Sequence, residues 1–164
     1  MTSGLLNPIQ ADFAKKEIDS RRARLVDLRH GTDYISENIP NSIHGILDQH
    51  AYRLLWLSSL IPKSKCIILL TNPGDEDRAY KALAENSYTQ IRGYLDGGLE
   101  AWKKAGYETA GLDACQPESL KKLDFNEEGN NVLLDVRESY EWNDKGVHPN
   151  AQLYVFLFSK TKKN

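Results

Sequence analysis

The sequence predicts an α/β protein: a central parallel sheet with helices on both faces, followed by a truncated second copy of its opening segment. Three observations carry that prediction. Short apolar runs alternate with stretches of helical spacing, the pattern of βα units that feed a parallel sheet. One run, Cys66 to Leu70, is apolar on both of its faces, as a strand in the middle of such a sheet must be. Finally, Leu25-Val26-Asp27-Leu28-Arg29 recurs as Leu133-Leu134-Asp135-Val136-Arg137.

In chain order, Ile9, Phe13 and Ile18 approximate one face of a first helix, and Leu25-Val26 reads as a strand. Ile43 to Leu47 is the next strand signal. Ala51 to Leu60 has helical spacing, with Pro62 closing it. Cys66 to Leu70 is followed by a helix over Asp75 to Leu83, and Ile91 to Leu95 is another strand. Gly97-Gly98 introduces a helix from Leu99 to Ala105, and Gly106 sits where a C-terminal helix cap belongs. Thr109 to Pro117 reads as a linker, with Pro117 in the first turn of a helix ending near Leu123. Val132 to Leu134 is the last of the strand signals.

The repeat extends beyond its first five residues. An acid-plus-aromatic pair follows each copy, Asp33-Tyr34 and Glu141-Trp142. A proline turn comes next, Ile39-Pro40-Asn41-Ser42 and His148-Pro149-Asn150-Ala151, offset by one extra residue in the second copy. After Leu153 to Phe158 and the basic tail Lys160 to Asn164, no counterpart appears of the central strand, its loop or the closing helix. The domain plan is therefore 5–108 for a full domain, 109–117 for a linker and 118–164 for the first half of a second repeat. Half a sheet leaves an open strand edge. The segment after about Gly111 is expected to pack on the first domain, to pair with another chain in a dimer, or to be mobile.

Composition narrows the partners. Of 164 residues 40% are hydrophobic, and 21 basic against 23 acidic side chains give a formal charge of -2. No basic face able to neutralise many phosphates is evident, which argues against nucleic acid. The longest apolar run, Leu153 to Phe158, is far too short for a bilayer, so no membrane partner is expected. No charged-then-apolar leader opens the chain, and two cysteines, Cys66 and Cys115, suit a reducing compartment; a cytoplasmic protein is expected. The histidines His30, His44, His50 and His148 form no i, i+4 pair and no cluster with cysteine, so neither metal nor other cofactor is expected in this chain.

Together, Leu25 to Arg29, the turn Asn38-Ile39-Pro40-Asn41-Ser42, the strand Ile67 to Leu70 with its loop, and Gly93-Tyr94-Leu95-Asp96-Gly97-Gly98-Leu99-Glu100-Ala101-Trp102 resemble the rhodanese (thiosulfate sulfurtransferase-like) family. The last stretch, a strand entering a Gly-Gly turn and a helix with a tryptophan, is the most specific. The resemblance covers nearly all of residues 5 to 108 and implies a rhodanese-like fold. A narrower likeness lies in Trp56-Leu57 to Pro62 and Thr71-Asn72-Pro73-Gly74-Asp75-Glu76, which look like the rhodanese region of bacterial fusion proteins. Those carry an N-terminal metallo-β-lactamase-fold hydrolase related to persulfide dioxygenases. The likeness implies such a domain as partner, with iron or zinc held there and not in this chain.

Family members that transfer sulfur resemble Cys-x-x-Gly-x-Arg at the end of the central strand. Their thiolate takes up sulfane sulfur inside a loop of backbone N–H groups at a helix N-terminus, which stabilises the anion. Here the loop reads Thr71-Asn72-Pro73-Gly74-Asp75-Glu76. A hydroxyl at Thr71 does not carry a sulfane sulfur, and a threonine nucleophile needs an adjacent base. Pro73 removes an N–H donor. Asp75, Glu76 and Asp77 set three carboxylates where a cation would help, offset only by Arg78, and although they suit a helix N-terminus they repel thiosulfate or persulfide. The expected loop keeps its shape and lacks the reaction.

The remaining candidates read as structural. Asp27 and Arg29, with their copies Asp135 and Arg137, tie strand ends to neighbouring turns, and Pro40, Gly97, Gly98 and Trp102 shape turns and helix packing. Cys66 opens the central strand roughly 16 Å from the loop, at the wrong end of the sheet. Cys115 lies in the linker with no base beside it. Tyr52, Trp56 and Trp142 are expected in core or interdomain packing, and His44 and His50 at loops or helix starts. Three functional readings follow: an inactive module that docks to or regulates a sulfur-metabolising metallo-β-lactamase-fold enzyme; a fragment of an active sulfurtransferase whose cysteine belongs to the second repeat; or a stand-alone interaction domain.

Overall fold

The computed structural model describes residues 5–47, 54, 56–122, 125 and 131–154. The chain divides into two compact units, Met1–Asp113 and Ala114–Asn164.

The first unit opens with β1 (Pro8–Ile9) and α1 (Ala11–Asp19). The Ile9–Phe13–Ile18 face is not the one used. Ile9 belongs to the strand, Phe13 is 45% exposed, and α1 buries Ala11, Ala14 and Glu17 instead. Two alanines let the helix lie close to the sheet. Glu17 is tolerated inside because Arg22 donates to it through Nε and Nη2, and Arg92 through Nη1 at 2.8 Å. The Arg22 bond is the largest influence holding this carboxyl below its ordinary pKa.

Next come β2 (Ala23–Asp27), α2 (Gly31–Ser36) and β3 (Ile43–His44). His30 caps α2, its Nδ1 accepting from the Thr32 N–H at 3.3 Å. The Ile43 to Leu47 run yields only two strand residues, and the last pairing in line is the Gly45 N–H donating to the Asp27 carbonyl. His44 is accordingly a strand residue rather than part of a loop, stacked on Tyr34 with centroids 4.7 Å apart. Of the Ala51 to Leu60 helix, the described part is α3 (Leu57–Leu60). His50 and Tyr52 lie outside the described residues.

The remainder of the unit is β4 (Cys66–Leu70), α4 (Glu76–Glu85), β5 (Ile91–Leu95) and α5 (Gly98–Lys104). The five strands form a parallel sheet in the order β1-β5-β4-β2-β3. β4 is central, and its alternation organises the core. Ile67 and Leu69 join Val26, Leu57 and Leu83 on one face, while Ile68 and Leu70 join Leu25, Ala14 and Trp102 on the other. All four β4 side chains are fully buried, each burial being worth about 1.5 to 3 kcal/mol. β1, invisible to patterning at two residues, is held by close approach: a Cβ on Gly93 would lie 2.2 Å from the Asn7 carbonyl oxygen.

Pro40 stands in a turn closed by the Ser42 N–H donating to the Ile39 carbonyl at 3.0 Å. Trp102 is buried and donates from Nε1 to the Glu108 carbonyl at 2.9 Å. Beyond it the chain stays hydrogen-bonded to the first unit, Ala110 exchanging two backbone bonds with Asn38 and the Leu112 N–H donating to the Ile35 carbonyl.

The second unit starts with a 3-10 helix, Pro117–Lys122, so the helix placed here is the tighter kind; Leu123 lies outside the described residues. β6 (Leu133–Asp135), α6 (Ser139–Lys145) and β7 (Ala151–Leu153) follow, with β6 and β7 parallel. This unit reproduces the local geometry of β2–α2–β3. Arg137 donates to Asp135 from Nε and Nη2 at 2.9 and 2.7 Å, and Nη2 also reaches the Gly146 carbonyl. On one face of its two strands Val132, Leu134, Val136 and Tyr154 are all exposed. Their counterparts Val26 and Leu28 are buried in the first unit's core. The run Leu153 to Phe158 contributes only Leu153 to a strand, and residues 155–164, including the tail from Lys160, lie outside the described residues.

Candidate functional site

Parallel α/β sheets present ligands with the carboxyl ends of their strands. Here β2, β4 and β5 end beside one another, and the segments that follow them wall a cleft of about 610 Å³. Thr71, the first residue after β4, lines it while only 8% exposed. Its hydroxyl has no hydrogen-bond partner among the described residues.

The loop after Thr71 keeps a tight turn but spends two of its donors internally. The Asp75 N–H donates to the Asn72 carbonyl at 3.1 Å. Pro73 has no N–H to give. Gly74, with φ at 92°, donates its N–H to Glu76 Oε2 at 2.9 Å. The protein's own carboxylate therefore takes a loop donor that an incoming anion would need. Asp77 turns the other way and accepts from the Leu5 N–H at 2.7 Å. Arg78 pairs with Asp75 at 3.6 Å and donates to the Leu47 carbonyl, lining a neighbouring cavity; it does not line the cleft above Thr71.

Arg29 is the one cation among the described lining residues, and it is already committed. Its Nε and Nη2 grip the fully buried Asp27 carboxylate, with Nη2 at 2.6 Å, and Nη2 also donates to the Glu37 carbonyl at 2.8 Å. This clasp fastens the end of β2 to the end of α2.

Five carboxylates surround that neutralised pair. Asp33 and Glu37 come from α2 and its end, Glu76 from α4, Asp96 from the turn after β5, and Glu100 from α5. Glu37 accepts from Thr109 Oγ1 at 2.8 Å and from Lys103 Nζ at 3.0 Å, and these bonds, the threonine's foremost, hold its carboxyl below the usual range. Lys103 also serves Glu100. Asp96 accepts from the Gln10 amide, and Asp33 has no side-chain partner among the described residues. Tyr94 registers the resulting field: burial first, then Asp96, Glu76 and Asp77, push its phenol upward. Gly97 and Gly98, both left-handed at φ 69° and 59°, fold the turn that brings Asp96 and Glu100 to the same opening.

Sequence reasoning singled out the Thr71 loop but not the ring of acids around it. The available signal was topological: residues just beyond β2 and β5 share the carboxyl edge with the loop. The other signature residues lie elsewhere. Pro40 and Trp102 border a separate groove with Tyr107, and Asp135 and Arg137 belong to the second unit. Cys66 starts β4 at the opposite end, and Cys115 is exposed. Trp56 is exposed in the first unit, and Trp142 is half-buried in the second. Among the described residues no His, Cys, Asp or Glu group is arranged to hold a metal ion, and no helix is long and apolar enough to cross a membrane.

A five-stranded parallel sheet with a cleft at the carboxyl ends of its strands defines an open α/β domain. The model of the rhodanese-like domain family matches residues 10–105, and the chain belongs to that family. Among solved structures it is similar to the Alr3790 protein of Anabaena, at 20% identity and a TM-score of 0.55 over 70% of this chain and 86% of that one. It is also similar to the BH2092 protein of Bacillus halodurans, at 18% identity and a TM-score of 0.55 over 73% and 91%. SseA of Escherichia coli, a 3-mercaptopyruvate sulfotransferase with the rhodanese fold, aligns at 17% identity and a TM-score of 0.50 over 88% and 72%. These likenesses establish the fold. No curated protein matches the chain.

Proposed function

We propose that this chain is a catalytically silent rhodanese-like module of the cytoplasm, serving as a docking or regulatory part of a larger sulfur-metabolising enzyme with a metallo-β-lactamase-fold hydrolase domain. The observation that carries the silence is the Thr71 loop: a hydroxyl stands at the sulfur-bearing position, and the Glu76 carboxylate occupies the Gly74 N–H. An approaching thiosulfate would meet five carboxylates and an arginine already paired with Asp27. With thiosulfate and cyanide, the purified chain is expected to form thiocyanate only at the background rate. Turnover above background that Thr71→Ala or Cys115→Ser abolishes would overturn this reading.

The docking role is supported by the second unit, in which Val132, Leu134 and Val136 are exposed. The partner's identity rests on the likeness of Trp56 to Pro62 and Thr71 to Glu76 to fusion proteins, and any iron or zinc belongs to that partner domain. A His-x-His-x-Asp-His motif elsewhere in the reading frame is the expected finding.

A second reading is favoured by the repeated clasp of Asp135 and Arg137. In it residues 118–164 begin a second rhodanese-like repeat, and the parent protein is a sulfurtransferase whose cysteine lies there. It requires a Cys-x-x-Gly-x-Arg stretch after the next apolar strand of the reading frame. A stand-alone interaction domain would form a stable complex without any metal-binding domain, and a dimer through the second unit would make elution volume concentration-dependent.

A further inference from the structure

We infer that the cleft above Thr71 receives a protonated organic amine or guanidinium group, the inverse of an anion site at the same position in the fold. The inference rests on the reading of this cleft as silent in sulfur transfer. Two independent observations carry it. The first is uncompensated charge: Asp33, Glu76 and Asp96 have no cationic partner among the described residues, while Glu37 and Glu100 share the single Lys103. The second is Thr71. This residue is more than nine-tenths buried and lines the cleft, and its hydroxyl has no partner among the described residues. An N–H donor entering the cleft can give the Thr71 oxygen the hydrogen bond it lacks within the chain.

The form of the cation follows from the same geometry. The acids are spread over α2 and its end, α4, the turn after β5 and α5, and no set of three is gathered for a metal ion among the described residues. A diffuse negative field over a polar floor suits a cation that carries its own N–H donors. The cleft's volume of about 610 Å³ leaves room for an attached stem, well within the range of small-ligand pockets. Tyr94 and Leu99 supply apolar wall for that stem, and the Tyr94 ring adds a favourable surface for the cation. The group can come from a free amine or from a lysine or arginine side chain of a partner protein.

Backbone amide chemical shifts of the intact chain provide the test, with N-acetyl-lysine amide, N-acetyl-arginine amide and 1,5-diaminopentane as cationic probes. Thiosulfate and the neutral N-acetyl-norleucine amide serve as controls. The cations are expected to give saturable shifts at Thr71 to Glu76 and Tyr94 to Gly98, and the controls to bind at least about tenfold more weakly. Joint replacement Asp33→Asn and Asp96→Asn is expected to weaken the cations on the order of tenfold, a few-fold per charge. Thr71→Val should weaken them further and Thr71→Ser should restore them, with each spectrum reporting whether the variant is folded. Tighter binding of diaminopentane supports a free amine, and tighter binding of the capped amino acids supports a partner's side chain. Equal affinity for lysine and norleucine amides, comparable binding of thiosulfate, or no effect of the two asparagines would overturn the inference. Thiocyanate formation would instead sink the silent reading, so the two failures are distinguishable.

Discussion

Replacing Arg29 by methionine strips a buried carboxylate of its partner. Asp27 is wholly buried and the Arg29 side chain only 11% exposed. The substitution removes the guanidinium bonds to both carboxylate oxygens and the bond to the Glu37 carbonyl, leaving Asp27 the Arg29 backbone N–H at 3.1 Å. Breaking one side of such a buried pair costs about 3 to 5 kcal/mol. With a urea dependence of roughly 1.5 kcal/mol per molar, the first unit's midpoint should fall by about 2 to 3 M. Exchange of the Ile67 to Leu70 amides in rising urea follows this unit alone. Two comparisons sharpen the reasoning. Arg137→Met removes the same bonds where the guanidinium is 38% exposed, and should cost its own unit a small fraction of that loss. The double variant Asp27→Asn with Arg29→Met no longer buries an unpaired charge, and should regain on the order of 1 to 2 kcal/mol over Arg29→Met alone. A midpoint shift below about 0.5 M for Arg29→Met, or a double variant no more stable than the single one, would refute the argument.

Three further outcomes are expected. Thr71→Cys alone should leave thiocyanate formation at background, because Pro73, the Glu76 bond and the ring of acids persist; measurable sulfur transfer would defeat the electrostatic account. Gly93→Ala should destabilise the first unit by about 1 to 3 kcal/mol or more, since its Cβ would press on the Asn7 backbone; protection of the Tyr94 and Asp96 amides, which donate to Asn7 and Ile9, should be lost first. Tyr88 is buried, donates to the Ile61 carbonyl, and has its phenol pushed up to about 12 by desolvation. Its raised folded value means that its contribution is complete below pH 10 and lost between about pH 10 and 12; Tyr88→Phe, less stable than the parent at pH 8, should narrow that gap across this window in thermal unfolding.

The central strand and the loop after it were legible because their signals are local. Ile67 to Leu70 announces burial on both faces, and Pro73 and Gly74 announce a turn. Signals spread over long separations were not. β1 is two residues paired with Tyr94 and Leu95, so no periodicity reveals it, and taking Ile9 as helical displaced the expected face of α1. The face actually buried contains Glu17, a choice that makes sense only once Arg92 arrives from β5. The cleft was half legible for the same reason. The acids of the Thr71 loop could be read as repelling an anion, but the return of Glu76 onto the Gly74 N–H is a matter of geometry. Asp33, Asp96 and Glu100 become neighbours of Thr71 only when β2, β4 and β5 lie side by side.

The two clasps measure something other than chain length. Each guanidinium reaches the carbonyl of the residue that terminates its helix, Glu37 after a helix of six residues and Gly146 after one of seven. The additional residue is absorbed inside the helix, and the clasp still closes. It therefore works as a gauge of where a helix stops, indifferent to how many residues the helix holds. Length changes between the arginine and the helix end are tolerable wherever the last carbonyl returns to the same place. The step of two residues from aspartate to arginine has no such slack, because one strand end must present both groups at once.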